Sequence, residues 1–151
     1  MSDLATNLAT LWGLGRARYA PGTVASAAAL PLAWGIALLG GRVSLLVAAI
    51  AALAIGAWAS EVYARDTNNS DPSECVIDEL AGQWIACAFA PLSLPAYALA
   101  FLLFRVFDIT KPWPIRRIER LHGGIGIMFD DVAAALLAGA IIAVLAHLDL
   151  V

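Results

Sequence analysis

Residues 43–60 read VSLLVAAIAALAIGAWAS, eighteen consecutive positions without a charge. As a helix rising 1.5 Å per residue this stretch covers about 27 Å, close to the roughly 30 Å of a bilayer's hydrocarbon core. Within it Ala52, Gly56 and Ser60 recur at every fourth position, a small-residue stripe of the kind that lets membrane helices approach closely. Further charge-free runs cover 19–41, 80–104 and 132–148. They predict spans from Thr23 to Leu39 and from Val132 to Ala146. The runs show neither period-2 alternation nor hairpin dipeptides, which argues against a β-barrel.

The rest of the 151 residues agrees with this reading. Apolar residues make up 62% and charged residues 14%, against about 45–50% and 25% in soluble domains. A soluble fold of this size could not hide so much apolar surface, and disorder and disulfide scaffolds are excluded by the same figures. The net charge of −3 is no footprint for nucleic acid. Cys75 and Cys87 lack a zinc or disulfide spacing and read as small buried apolar residues. The start Met1-Ser2-Asp3-Leu4 has no positive n-region, so no secretory leader is expected.

The stretch 80–104 carries Pro91-Leu92-Ser93-Leu94-Pro95 at its middle, and two prolines four apart break a helix. Arg105, Lys111, Arg116, Arg117 and Arg120 argue that 105–131 is cytoplasmic, and Arg16 and Arg18 argue the same for the N-terminus. Two spans return 61–79 to that side as well. All three polar segments share one face if 80–104 dips in and comes back. The expected fold is all-α: a small polytopic membrane helical bundle, one embedded domain over 1–151, with a re-entrant or broken helical segment at 80–104.

Chemistry can reside only in the polar segments. Two adjacent acidic pairs, Asp78-Glu79 and Asp130-Asp131, stand where polar sequence meets an apolar helix, with Asp108 between them in the chain. Carboxylates crowded beside a bilayer need protons, basic partners or a metal. Either pair alone also fits a helix start, where acids complement the dipole. Taken together with Asp108, the pairs point to an all-oxygen site for a hard ion, Mg²⁺ above all. These five acids are the expected metal-binding and catalytic residues.

Arg105, Asp108 and Lys111 follow at i+3 and on a helix share one face, which is either a plain salt-bridge ladder or two phosphate ligands placed around a metal-binding carboxylate. His122-Gly123-Gly124-Ile125-Gly126 precedes the second acidic pair. Gly123, Gly124 and Gly126 could form a backbone nest for an anion, or simply a turn. Ala20-Pro21-Gly22-Thr23 opens a helix, with Thr23 as expected N-cap beside free N–H groups that can bind phosphate. Trp113 suits a membrane interface.

These motifs, in this order, resemble the phosphatidylglycerophosphatase A family. The resemblance rests on Ala20-Pro21-Gly22-Thr23 with Ser26, on Asp71-Pro72 running to Val76-Ile77-Asp78-Glu79-Leu80-Ala81-Gly82, on Phe104-Arg105 to Pro114, and on Gly123 to Asp131. It covers roughly residues 11–140, with Ala25 and Ala135 standing where the family often has Gly. It implies a bacterial cytoplasmic-membrane enzyme that uses Mg²⁺ to hydrolyse the phosphomonoester of phosphatidylglycerophosphate, a phospholipid, giving phosphatidylglycerol and inorganic phosphate. The alternative from another class is a small ion or proton transporter, since carboxylates at a membrane bind cations. Against it, the acids flank the spans instead of sitting at mid-depth.

Overall fold

The computed structural model describes residues 3–70, 72–113, 115–118 and 124–151. Every regular element among them is helical: α1 (Asp3–Ala9), a 3-10 turn (Leu14–Arg16), α2 (Pro21–Thr67), α3 (Ile77–Ala88), α4 (Leu94–Thr110), α5 (Ile115–Ile118) and α6 (Gly124–His147). Among the described residues two helices are long and apolar enough to cross a membrane: α2, and α6 from Met128 to His147.

An unbroken α2 of 47 residues would be about 70 Å long, more than twice the hydrocarbon thickness. It is divided at Gly41, whose φ of 70° and ψ of −170° leave the helical region. A residue with a side chain is disfavoured there. Ser44 Oγ donates to the Gly40 carbonyl at 2.8 Å, satisfying an acceptor that the break would otherwise strand. The predicted segments Thr23–Leu39 and 43–60 are therefore the two limbs of α2, with Arg42 at the division. Pro31 lies inside the first limb without ending it.

The 80–104 stretch is broken as expected. α3 stops at Ala88, Pro91 follows, and Ser93 caps α4 by accepting from the Ala96 N–H at 3.3 Å. The start of α3 and the end of α4 then meet, because Arg105 reaches Glu79. The two helices form an antiparallel hairpin.

α3 packs along α2 and also against α4 and α6. The main core joins Leu45, Ile85, Tyr97, Phe104 and Ile142 with many alanines. A second cluster gathers Ala59, Tyr63, Cys75, Ile77 and Met128. Gly56, from the small-residue stripe, takes Met128 against its backbone: a Cβ there would come within 2.7 Å of Met128 Cε. Both cysteines are buried and form no disulfide, and Cys75 Sγ lies 3.0 Å from Ser60 Oγ. The outer surface is apolar, with Leu39, Val43, Ile50, Leu102 and Val144 exposed. Only 11% of the most apolar window of α2 is buried, so this helix faces lipid and is not the core of a soluble protein.

Two expectations about helix ends are corrected. Ala20, with φ 45° and no side-chain bond, is the N-cap of α2; Thr23 lies inside the first turn, since Pro21 already takes the first helical position. α6 begins at Gly124, not near Val132. Asp130 and Asp131 are therefore in its second turn and do not cap it.

Candidate metal centre

The site is assembled from four helix ends. Asp78 and Glu79 occupy the first turn of α3, where the dipole favours negative charge. Asp131 comes from α6 and is buried. One carboxylate oxygen from each of Asp78, Glu79 and Asp131 lies within 4.8 Å of the others. At an effective dielectric near 20, charges at that separation repel by at least about 3 kcal/mol per pair, so the cluster requires compensation.

The nearby cations are already committed elsewhere. Arg105 Nη1 binds Asp108 Oδ2 at 2.7 Å and stands 4.0 Å from Glu79 Oε1. Lys111 Nζ pairs with Asp130 Oδ2. Asp108 and Asp130 thus hold basic side chains, while Asp78, Glu79 and Asp131 keep the ligand spacing. Burial, reinforced by the neighbouring Glu79 charge, pushes the Asp78 carboxyl well above the usual carboxylate range. Burial also raises Glu79. Without a cation, then, these groups favour binding protons.

A divalent ion fits the donor set. All three groups offer hard oxygens, and Glu79 Oε2 and Asp131 Oδ2 are buried without a hydrogen-bond partner. Such orphaned acceptors are costly unless something binds them.

Residues from α2 complete the wall. A Cβ built on Gly22 would overlap the Glu79 carboxylate and come within 3.1 Å of Arg105 Nη2. Arg105 Nη1 also donates to Ser26 Oγ at 3.5 Å, and Ser26 donates to the Gly22 carbonyl at 2.9 Å. Thr23 shares that first turn, half-buried. Phe104 and the backbone of Asp131 close on Gly82 of α3, bringing α4 and α6 to the acids.

Set against the expected site, Asp78, Glu79, Asp108, Asp130, Asp131, Arg105 and Lys111 are gathered at one end of the bundle. The shared helical face of Arg105, Asp108 and Lys111 is corrected: Lys111 leaves α4 with φ 42°, which turns it toward Asp130. Gly124 and Gly126 lie in the first turn of α6, not in a loop. Asp71, Arg120, His122 and Gly123 lie outside the described residues. Glu61 pairs with Arg65 on α2. Sequence reasoning assigned no role to Gly22, Ser26 or Gln83; the signal for Gln83 was a polar amide one turn after Glu79 in a charge-free run. An apolar cleft of about 460 Å³, lined by Leu30, Pro31, Trp34, Leu94, Tyr97 and Ala98, contains no carboxylate.

A family model described as Phosphatidylglycerophosphatase A matches residues 7–146. The chain belongs to the phosphatidylglycerophosphatase A family. Two relatives bear that name. The Escherichia coli K12 protein is 34% identical over 142 residues, covering 93% of this chain and 82% of its own. The Haemophilus influenzae protein is 40% identical over 134 residues, covering 87% and 82%. A Bacteroides thetaiotaomicron relative, provisionally named a phosphatidylinositol-3-phosphatase, is 35% identical over 151 residues, covering 95% and 94%. No solved structure matches the chain. Membership makes this chain a phosphatase, and its two long apolar helices fit a membrane protein.

Proposed function

We propose that the chain hydrolyses the phosphomonoester of phosphatidylglycerophosphate to phosphatidylglycerol and inorganic phosphate, with Mg²⁺. The observation that carries this reading is the cluster of Asp78, Glu79 and Asp131 beside Arg105 and Lys111, in a chain whose relatives act on a lipid phosphate. Those three carboxylates would hold the ion. Bound Mg²⁺ supplies Lewis acidity and neutralises charge gathering on the phosphoryl oxygens.

The remaining roles follow from position. Asp108 and Asp130 orient Arg105 and Lys111, whose N–H groups meet the non-bridging oxygens. Arg105 Nε is buried without a partner and offers a further donor. Thr23, Gly124 and Gly126 sit in the first turns of α2 and α6, where unsatisfied backbone N–H groups suit an anion; Gly123 is assigned to the same role by its place in the sequence. The P–O ester bond breaks, water supplies the new phosphate oxygen, and a proton passes to the released glycerol oxygen.

We place the site at the cytoplasmic face of a bacterial inner membrane that the chain crosses several times. Exposed Tyr19 and Trp113, next to the ends of α2 and α4 that carry the site, suit the headgroup level. Purified full-length protein should release phosphate from phosphatidylglycerophosphate with Mg²⁺ and stop when the ion is chelated. Phosphatidic acid and phosphatidylinositol 3-phosphate should be poorer substrates. Failure to release phosphate from phosphatidylglycerophosphate would overturn the assignment. Cysteines introduced at 65 and 117 should label from the same side; opposite-side labelling would make 80–104 a full crossing.

A further inference from the structure

Among the described residues Gln83 is the largest polar side chain wholly shut off from solvent, with 0% exposure. Its Nε2 donates weakly to Cys87 Sγ at 3.4 Å, one turn later in α3. Its Oε1 is buried with no partner. A buried amide oxygen left unpaired is destabilising by comparison with a leucine of similar volume, so packing alone gives no reason for glutamine here. The position does. Gln83 stands one turn after Glu79, on the same face of α3, and Glu79 Oε2 and Asp131 Oδ2 are unpartnered as well. Gln83 thus lies midway along α3, one turn in from the acids. The three orphaned acceptors outnumber the one buried, unpartnered donor among the described residues, Arg105 Nε, an imbalance that points to a further shared donor.

We propose that Gln83 is a positioning residue for the metal centre: its Oε1 accepts a hydrogen bond from a water carried by the ion that Asp78, Glu79 and Asp131 hold. The assignment rests on the metal reading given above. Mg²⁺ sheds its waters reluctantly, so a small cluster of carboxylates leaves several of them to be oriented. A neutral amide orients one without adding a further negative charge to a crowded set, and partners of this outer kind change metal affinity by about 10–100-fold.

The test uses the full-length protein in detergent and the metal alone, with Mn²⁺ as probe. Binding is followed by electron paramagnetic resonance and by the ion concentration that half-maximally raises the melting temperature. Gln83→Leu should melt no lower than wild type without ions, and its Mn²⁺ midpoint should rise about tenfold or more. Gln83→Glu, which restores an acceptor at the same reach, should return the midpoint to the wild-type value or below it. A midpoint within twofold of wild type in Gln83→Leu would overturn the proposal, because a purely structural role shifts the ion-free melting temperature and leaves ion binding alone. Should Gln83→Leu not fold, Gln83→Glu decides: a midpoint weakened beyond twofold overturns the assignment, and one at or below wild type supports it. A wild-type protein that binds no divalent ion overturns the metal reading itself, whereas undiminished binding in Gln83→Leu overturns Gln83 alone.

Discussion

The two acidic pairs look alike in the sequence and differ in the fold. Asp78-Glu79 stands in the first turn of α3, so the helix dipole offsets part of its charge. Asp130-Asp131 lies in the second turn of α6, where that help has faded. Each pair has the same local bond: Asp78 Oδ1 accepts from Glu79 N–H, and Asp130 Oδ1 from Asp131 N–H, both at 3.0 Å. The pairs part company in their cations. Lys111 takes Asp130 directly, while Arg105 stands 4.0 Å from Glu79 and gives its close contact to Asp108. A pair at a helix start can thus keep both members for a ligand, whereas a pair inside a helix surrenders one to a lysine and presents the other.

The largest effect should come from separating the members of the second pair. Asp131→Asn removes a proposed ion ligand and should lower turnover about a thousandfold in a protein that still folds. Asp130→Asn only loosens Lys111 and should cost about tenfold. Equal losses, measured per folded molecule, would erase the distinction between them.

Acidity probes the first pair. Asp78 and Glu79 bind protons more tightly folded than unfolded, so their contribution favours the fold below the ordinary carboxylate pKa of about 4 and is lost as pH rises through the raised folded values. The ion-free protein should melt higher near pH 5 than near pH 8. Mg²⁺ should stabilise most at the higher pH, where it no longer competes with protons. An ion-free melting temperature that rises from pH 5 to pH 8 would count against burial of this pair without compensation.

Two glycines in the first limb of α2 give a third contrast. Gly22→Ala places a methyl group against Glu79 and Arg105 and should reduce turnover about tenfold or more, since displacing site groups by as little as 1 Å is severe. Gly35 has nothing within 4 Å of a built Cβ. Gly35→Ala should leave turnover unchanged and hold or slightly raise the melting temperature, by up to about 1 kcal/mol of stability. Parallel turnover assays on the two variants measure this, and equal activities would remove Gly22 from the site.

How far the sequence could be read follows from the range of each interaction. The lipid-facing helices were legible because exclusion of charge is a local property: a charge at any position of 43–60 is costly, whether the residue faces outward or packs inward. The broken 80–104 hairpin was legible for the same reason, since Pro91 and Pro95 act on adjacent backbone. The acids and bases of the site could be named because so few charges exist to choose from. Their pairing could not. Lys111 meets Asp130 because its left-handed backbone turns it off α4, so of the i+3 pattern read from 105, 108 and 111 only the Arg105–Asp108 pair holds. Gly22 and Ser26 lie near Glu79 and Arg105 in space and dozens of residues away in the chain, so no spacing announces them. Sequence alone determined an all-helical membrane protein with a carboxylate-rich polar end, because hydropathy and helix breaking are short-range. Only tertiary structure decided which three carboxylates converge and which two keep the cations, because Coulomb interactions and burial depend on distances that the packing of α2, α3, α4 and α6 sets.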